Sequence, residues 1–202
     1  HFMAEPMDFE SFRKCQYQEE GDFINEPYEM EVRRRGRRQE VLFSRSGGLC
    51  KEGGKDTIKI EKSFSISTHQ TIVRAAYQMT YSGEKRKTNF GIELNINLLA
   101  GDASDRYYHI PGHKLEDRRL ASRGTLDEIT EVQLLDEWNK MKVVLKMDKS
   151  CHLWRFPIET VSLSESGFEK IFQGSCLLLY WPLVLEPGGQ FEVTIELGIE
   201  HL

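Results

Sequence analysis

The run NFGIELNINLL, Asn89–Leu99, decides the fold. Phe90, Ile92, Leu94, Ile96 and Leu98 fall on one face at a period of two, with Glu93, Asn95 and Asn97 on the other. That alternation is a β-strand with one buried face. Its polar face reads either as a solvated surface or as the floor of a polar groove. The same period extends outward in both directions. Thr57–Ile66 places Ile58, Ile60, Phe64 and Ile66 in register, Thr71–Tyr81 repeats the idea, and Gln190–Leu197 alternates Phe191, Val193, Ile195 and Leu197. Glu29–Arg35 and Arg38–Arg45 flank Gly36-Arg37 as a hairpin. Glu128–Leu135, Met141–Met147, Leu153–Ile158 and Ser175–Leu185 supply further strands.

Between them, Ser46-Gly47-Gly48 and Gly53-Gly54 are expected to bracket a loop, and residues 100–126, including Asp105–Tyr108, a long polar loop. Residues 4–28 read as irregular, and helix is expected only for a turn or two near Ser164–Ile171. Many strands joined by turns, with hardly an amphipathic helix, imply an all-β fold, an antiparallel β-sandwich. One such domain is expected over residues 4–202, with His1-Phe2-Met3 set aside as a scar before a second start.

A chain of 202 residues with 39% hydrophobic and 29% charged residues can bury one sizeable core. Its net charge of −5 argues against nucleic acid as a partner. The run Arg33, Arg34, Arg35, Arg37, Arg38 reads as a charged hairpin tip, because no aromatic side chains interleave it as stacking platforms. Cys15, Cys50, Cys151 and Cys176 show no metal-binding spacing, which points to free thiols in a reducing cytoplasm. No apolar run reaches the length of a membrane span, no signal peptide is visible, and no cofactor motif stands out.

Four runs in order, GDFINEPYE, IELNINLLAGDASDRYY, LDEW and WRFPIETVSLSESGFEKIFQGS, together with the later WPLVLEPGG, resemble the C-terminal domain of glycoside hydrolase family 57 α-amylases and 4-α-glucanotransferases. The resemblance covers about residues 21–197. It implies a galactose-mutarotase-like super-sandwich packed behind a catalytic barrel that this sequence does not contain. It also implies carbohydrate metabolism as the setting and α-glucan or maltooligosaccharide as the ligand. The family's sandwich begins further upstream, and here Glu5–Glu20 stands in place of those strands. A sandwich shortened in this way would leave one sheet incomplete and favour association, a homo-oligomer included. Two other readings stay open: a stand-alone mutarotase-like sugar epimerase and an assembly module without ligand.

Candidate site residues cluster in two places. Trp154, Tyr107 and Tyr108 offer ring faces, while Asp105, Arg106, Arg155, Glu159 and Gln173 offer planar polar groups for sugar hydroxyls. The competing reading puts Trp154 in the core and Arg106 in an ion pair. Glu159, Glu165 and Glu169 are near enough in sequence to suggest a carboxylate pair. The capping-box spacing of Ser162 and Glu165, with Glu169 nearby, instead suggests a hydrogen-bonded structural corner. No catalytic residue is therefore assigned. Cys151 and His152 are adjacent and would point to opposite faces of a strand. His109 and His113, separated by Pro111-Gly112, suggest no metal site.

Overall fold

In the computed structural model, which describes residues 1–164 and 167–202, eleven strands form one antiparallel sheet folded into two facing layers. The strands are β1 Phe2–Met3, β2 Glu29–Arg35, β3 Arg38–Lys51, β4 Gly54–Ser67, β5 Ile72–Ser82, β6 Arg86–Ile96, β7 Arg106–His109, β8 Gly124–Asp136, β9 Met141–Ser164, β10 Gly167–Leu185 and β11 Gln190–His201. The larger layer runs β2-β3-β4-β5-β11 into the first half of β9, with β8 beyond it. The smaller layer is β1-β6-β10 with the second half of β9. β9 belongs to both, because Met141–Met147 pairs with β11 whereas His152–Ser164 pairs with β10.

Alternation fills the space between the layers. Tyr77 of β5 meets Phe90 of β6 at 6.2 Å, and Trp181 of β10 meets Phe191 of β11 at 6.2 Å between ring centroids. Ile58, Ile60, Leu134, Leu145 and Leu179 are fully or almost fully buried there. The antiparallel sandwich expected from the sequence is the observed fold. Of the two readings for the polar face of β6, the solvated one holds: Glu93, Asn95 and Asn97 are exposed.

Several local expectations are corrected. Phe2 and Met3, set aside as a scar, pair with Phe90 and Asn89 and are buried at 0% and 1% exposure. Gly47 and Gly48 lie inside β3, where a Cβ on Gly47 would come within 2.6 Å of the Phe23 ring and one on Gly48 within 2.6 Å of the Lys55 side chain. Close approach, not a turn, is what these glycines serve. Arg106–His109 is a strand, not a loop, since it pairs with Asp136–Gln133 of β8. Of the helical turn expected at Ser164–Ile171, the described residues are strand, with Phe168 opposite Leu163 and Ile171 opposite Thr160, and residues 165 and 166 lie outside them. One helix, α1 at Phe9–Arg13, occurs where no regular structure was expected. Asp8 caps it by accepting from the Ser11 N–H at 2.7 Å.

Candidate functional site

Trp154 and Arg155 are neighbours on β9, so they leave the sheet on opposite faces. Trp154 is 6% exposed and lies outside the main core, in a second apolar cluster with Met3, Phe12 and Leu178. The N-terminal segment covers it: Phe9 and Phe12 of α1 approach its ring at 5.7 and 5.9 Å, and Tyr180 at 5.2 Å. Arg155 is buried against Tyr108, its guanidinium 4.9 Å from that ring. It donates to Ser122 Oγ and to the Asp117 carbonyl oxygen at 3.0 Å. Burial pushes its pKa down, with Tyr108 and Asp117 opposing. Tyr108 itself is fully buried, and burial raises its pKa to about 12. Arg155 and Tyr108 hold the loop 110–122 onto the sandwich, Trp154 holds the N-terminal segment, and all three are buried.

The rest of the expected set stays near the surface but is divided. Glu159 approaches Arg123 at 3.7 Å and Lys170 at 3.9 Å. Gln173 is the extra residue of a bulge between Phe172 and Gly174, and its Nε2 donates to Thr160 Oγ1 at 3.1 Å. Ser162 is exposed opposite Glu169, on the face of the sheet away from Glu159, so Glu159 and Glu169 do not converge. Glu165 lies outside the described residues.

A coherent exposed patch remains at the β7–β8 corner. Arg106 pairs with Asp105 at 3.2 Å and with the nearly buried Asp136 at 3.3 Å. Burial alone would raise the Asp136 pKa, but hydrogen bonds from the Asn139 N–H and side chain, with the Arg106 charge, leave it lowered. This network fixes the β8–β9 turn. Tyr107 points outward, donating to Glu137 Oε1 at 2.7 Å with the Arg118 guanidinium 4.2 Å from its ring. The bond to Glu137 raises the Tyr107 pKa. Next in sequence, Trp138 is 75% exposed. An exposed indole next in sequence to the carboxylate that holds a tyrosine offers an apolar ring face and hydroxyl-binding groups on one turn. The sequence reading passed over Trp138, Glu137 and Arg118. The signal was the large aromatic within the polar turn DEWN, where a core role is unavailable.

Among the described residues no cluster of three or more His, Cys, Asp or Glu side chains could hold a metal ion. No helix among them is long and apolar enough to cross a membrane.

The family described as alpha-amylase/4-alpha-glucanotransferase, C-terminal, matches residues 1–195. Alpha-amylase 1 of Dictyoglomus thermophilum is 30% identical over 98% of this chain and 27% of its own length. The 4-alpha-glucanotransferase of Thermococcus litoralis is 29% identical over 92% of this chain and 24% of its own length. The chain thus spans about a quarter of the length of the curated relatives it matches. Among solved structures, the Thermococcus litoralis 4-alpha-glucanotransferase superposes with a TM-score of 0.73 at 24% identity, covering 100% of this chain and 27% of that one. A galactose mutarotase related enzyme from Lactobacillus acidophilus gives 0.55 at 12% identity, covering 85% and 71%. These likenesses show the fold, a mutarotase-like sandwich.

Proposed function

The chain belongs to the family of α-amylase and 4-α-glucanotransferase C-terminal domains, and from that premise we propose that it is the non-catalytic sandwich of an enzyme of the glycoside hydrolase family 57 type. In this reading it supports a catalytic barrel and contacts the α-glucan through the Tyr107–Trp138 corner. Asp105 and Arg106 hold that corner, and Trp154, Arg155 and Tyr108 act behind it as framework. The four free cysteines, two of them buried, support a reducing, cytoplasmic setting.

One observation carries the barrel-supporting role. The inner face of the larger layer extends past the smaller one and leaves several apolar side chains uncovered by any described residue. Met30 and Val32 of β2 are 63% and 57% exposed, Ile66 of β4 48% and Ile199 of β11 49%. In register with them, Val41 and Phe43 of β3 continue the same face. A row of exposed apolar side chains of this kind suits a surface that another polypeptide covers.

The experiment is a pair of measurements on the same protein. We expect retardation in gels containing amylopectin, and no change in maltoheptaose chain length by chromatography. Release or redistribution of glucose units by this chain would overturn the non-catalytic role. Migration unaffected by amylopectin would remove the glucan contact.

A further inference from the structure

The outer face of the larger layer carries a polar trough, remote in sequence from the β7–β8 corner. Three register rows build it. Ser63, Ala76 and Thr194 lie side by side on β4, β5 and β11 and form a floor of small side chains. Two residues along the strands to one side stand Glu61, Gln78 and Glu192; two residues to the other stand Ser65, Arg74 and Glu196. The hollow between the rows measures about 510 Å³, and an adjoining one of about 300 Å³ shares Arg74 with it. Asp148 anchors one end, its Oδ1 accepting from the Thr194 N–H at 2.9 Å.

Glu61 pairs with Lys59 at 2.9 Å and Ser65 accepts from Arg38 at 3.1 Å, but the other four side chains on the banks are unspent. Arg74, Gln78, Glu192 and Glu196 form no hydrogen bond or ion pair with any described residue. Arg74 and Glu196 stand opposite each other across the β5–β11 ladder, where opposite charges ordinarily pair, yet both line the trough unpaired. Several exposed acids elsewhere are paired locally, as Glu31 is with Arg33 at 2.8 Å and Glu10 with Arg13 at 2.6 Å.

We propose that this trough is a binding site for a neutral oligosaccharide laid across the strands. The side chains select the ligand class: the Arg74 guanidinium, the Gln78 amide and the carboxylates of Glu61, Asp148 and Glu192 line the larger hollow, an excess of acceptors that disfavours an anion. A sugar hydroxyl both donates and accepts, and the banks offer the forked donors of an arginine, an amide of both kinds and carboxylate acceptors. The dimensions agree. From β3 to β11 the trough crosses three inter-strand gaps, about 14 Å, and its banks stand four residues apart, about 13 Å. That is room for several hexose rings and excessive for one. The volume lies in the range of about 300–1,000 Å³ usual for ligand sites. Identifying the sugar as α-glucan rests on the function proposed above.

The test is calorimetric titration with maltoheptaose, cellohexaose and chitohexaose, with amide spectra of the isotope-labelled wild type to locate the bound sugar without any substitution. The expected result is binding of maltoheptaose with shifts at the Ala76 and Thr194 amides. Arg74→Ala and Glu192→Gln should each weaken it about tenfold while leaving the melting temperature unchanged. Binding in the trough by a different saccharide alone would support the site and overturn the α-glucan identity. Maltoheptaose binding that shifts only Tyr107 and Trp138, and is indifferent to both substitutions, would overturn the trough and leave the proposed function standing. No saccharide binding by the wild type would overturn the trough outright.

Discussion

Replacing Trp154 by alanine separates a framework residue from a sugar platform. The indole is 6% exposed and is enclosed by Phe9, Phe12 and Tyr180 at 5.2 to 5.9 Å. A buried aromatic of this kind removes about 150–250 Å² from water, which at about 25 cal/mol per Å² is about 4–6 kcal/mol as an upper bound. Losses measured for buried tryptophan truncations, about 3–5 kcal/mol, agree with the lower end. For a domain of this size each kcal/mol moves the melting temperature by about 2–4 °C, so a fall of about 8–16 °C is expected. The loss should concentrate on the N-terminal segment, because Met7, Phe9, Phe12 and Tyr17 all pack on this cluster. Limited proteolysis should therefore cut residues 4–18 in the variant before the rest of the chain, while amylopectin retardation at low temperature stays as in wild type. A melting temperature within about 3 °C of wild type, with residues 4–18 still protected and glucan retention lost, would refute this reasoning and make Trp154 a ligand contact.

Arg155→Met should lie within about 1 kcal/mol of wild type in urea denaturation, because it removes a buried charge. Ser122 Oγ keeps the Asp117 and Arg119 carbonyls as acceptors after that change. Arg155→Ala, which leaves a void, should cost about 2–4 kcal/mol, and equal losses for both variants would show that the charge itself matters. His1 lies between Glu19 and Glu93; burial lowers its pKa, but the two carboxylates outweigh this and raise it to about 9. The stabilisation it gives should be complete below about pH 6.5, the unfolded value, and lost as pH rises through the folded one. His1→Gln should flatten that part of the melting-temperature profile, and an unchanged profile would exclude the pairing. Gly47→Ala should destabilise by about 1–3 kcal/mol because its Cβ would meet the Phe23 ring. Gly36→Ala, at φ +59° with open space around it, should cost about 1 kcal/mol, all of it backbone. Reversed rankings in a thermal melt would count against this account of the two glycines.

The long strands were legible because a half-buried strand repeats every second residue, and Asn89–Leu99, Thr57–Ile66 and Gln190–Leu197 carry that period without interruption. The failures came where one signal has two physical causes. A glycine pair marks a turn or a close contact, and Gly47-Gly48 is the second. Ser162 and Glu165 have the spacing of a helix cap, but Leu163 and Phe168 pair across adjacent strands instead. β1, β7 and α1 span two, four and five residues, too short for any period to establish itself. The site was harder to read for a different reason. Sequence shows that Trp154 and Arg155 point apart, yet it cannot show that α1 covers one and the loop 110–122 the other. The trough was invisible because Glu61, Gln78 and Glu192 are each an ordinary outward residue on its own strand. Only the pairing of strands distant in sequence sets them abreast.

The position of β11 has a consequence for how the protein is made. Gln190–His201 lies between β5 and β9 in the larger layer, joined to Ile72–Thr80 on one side and Met141–Met147 on the other. Until Gln190–His201 has been translated, β5 and the first half of β9 each expose an unpaired edge, and the layer exists as two separate fragments. Closure waits for β11 to emerge and insert between partners translated before it. Pairing over such separations is slow and leaves sticky edges open in the interval. The nascent chain is therefore most vulnerable to aggregation just before β11 leaves the exit tunnel. Shortening the protein within Gln190–His201 would prolong that state indefinitely.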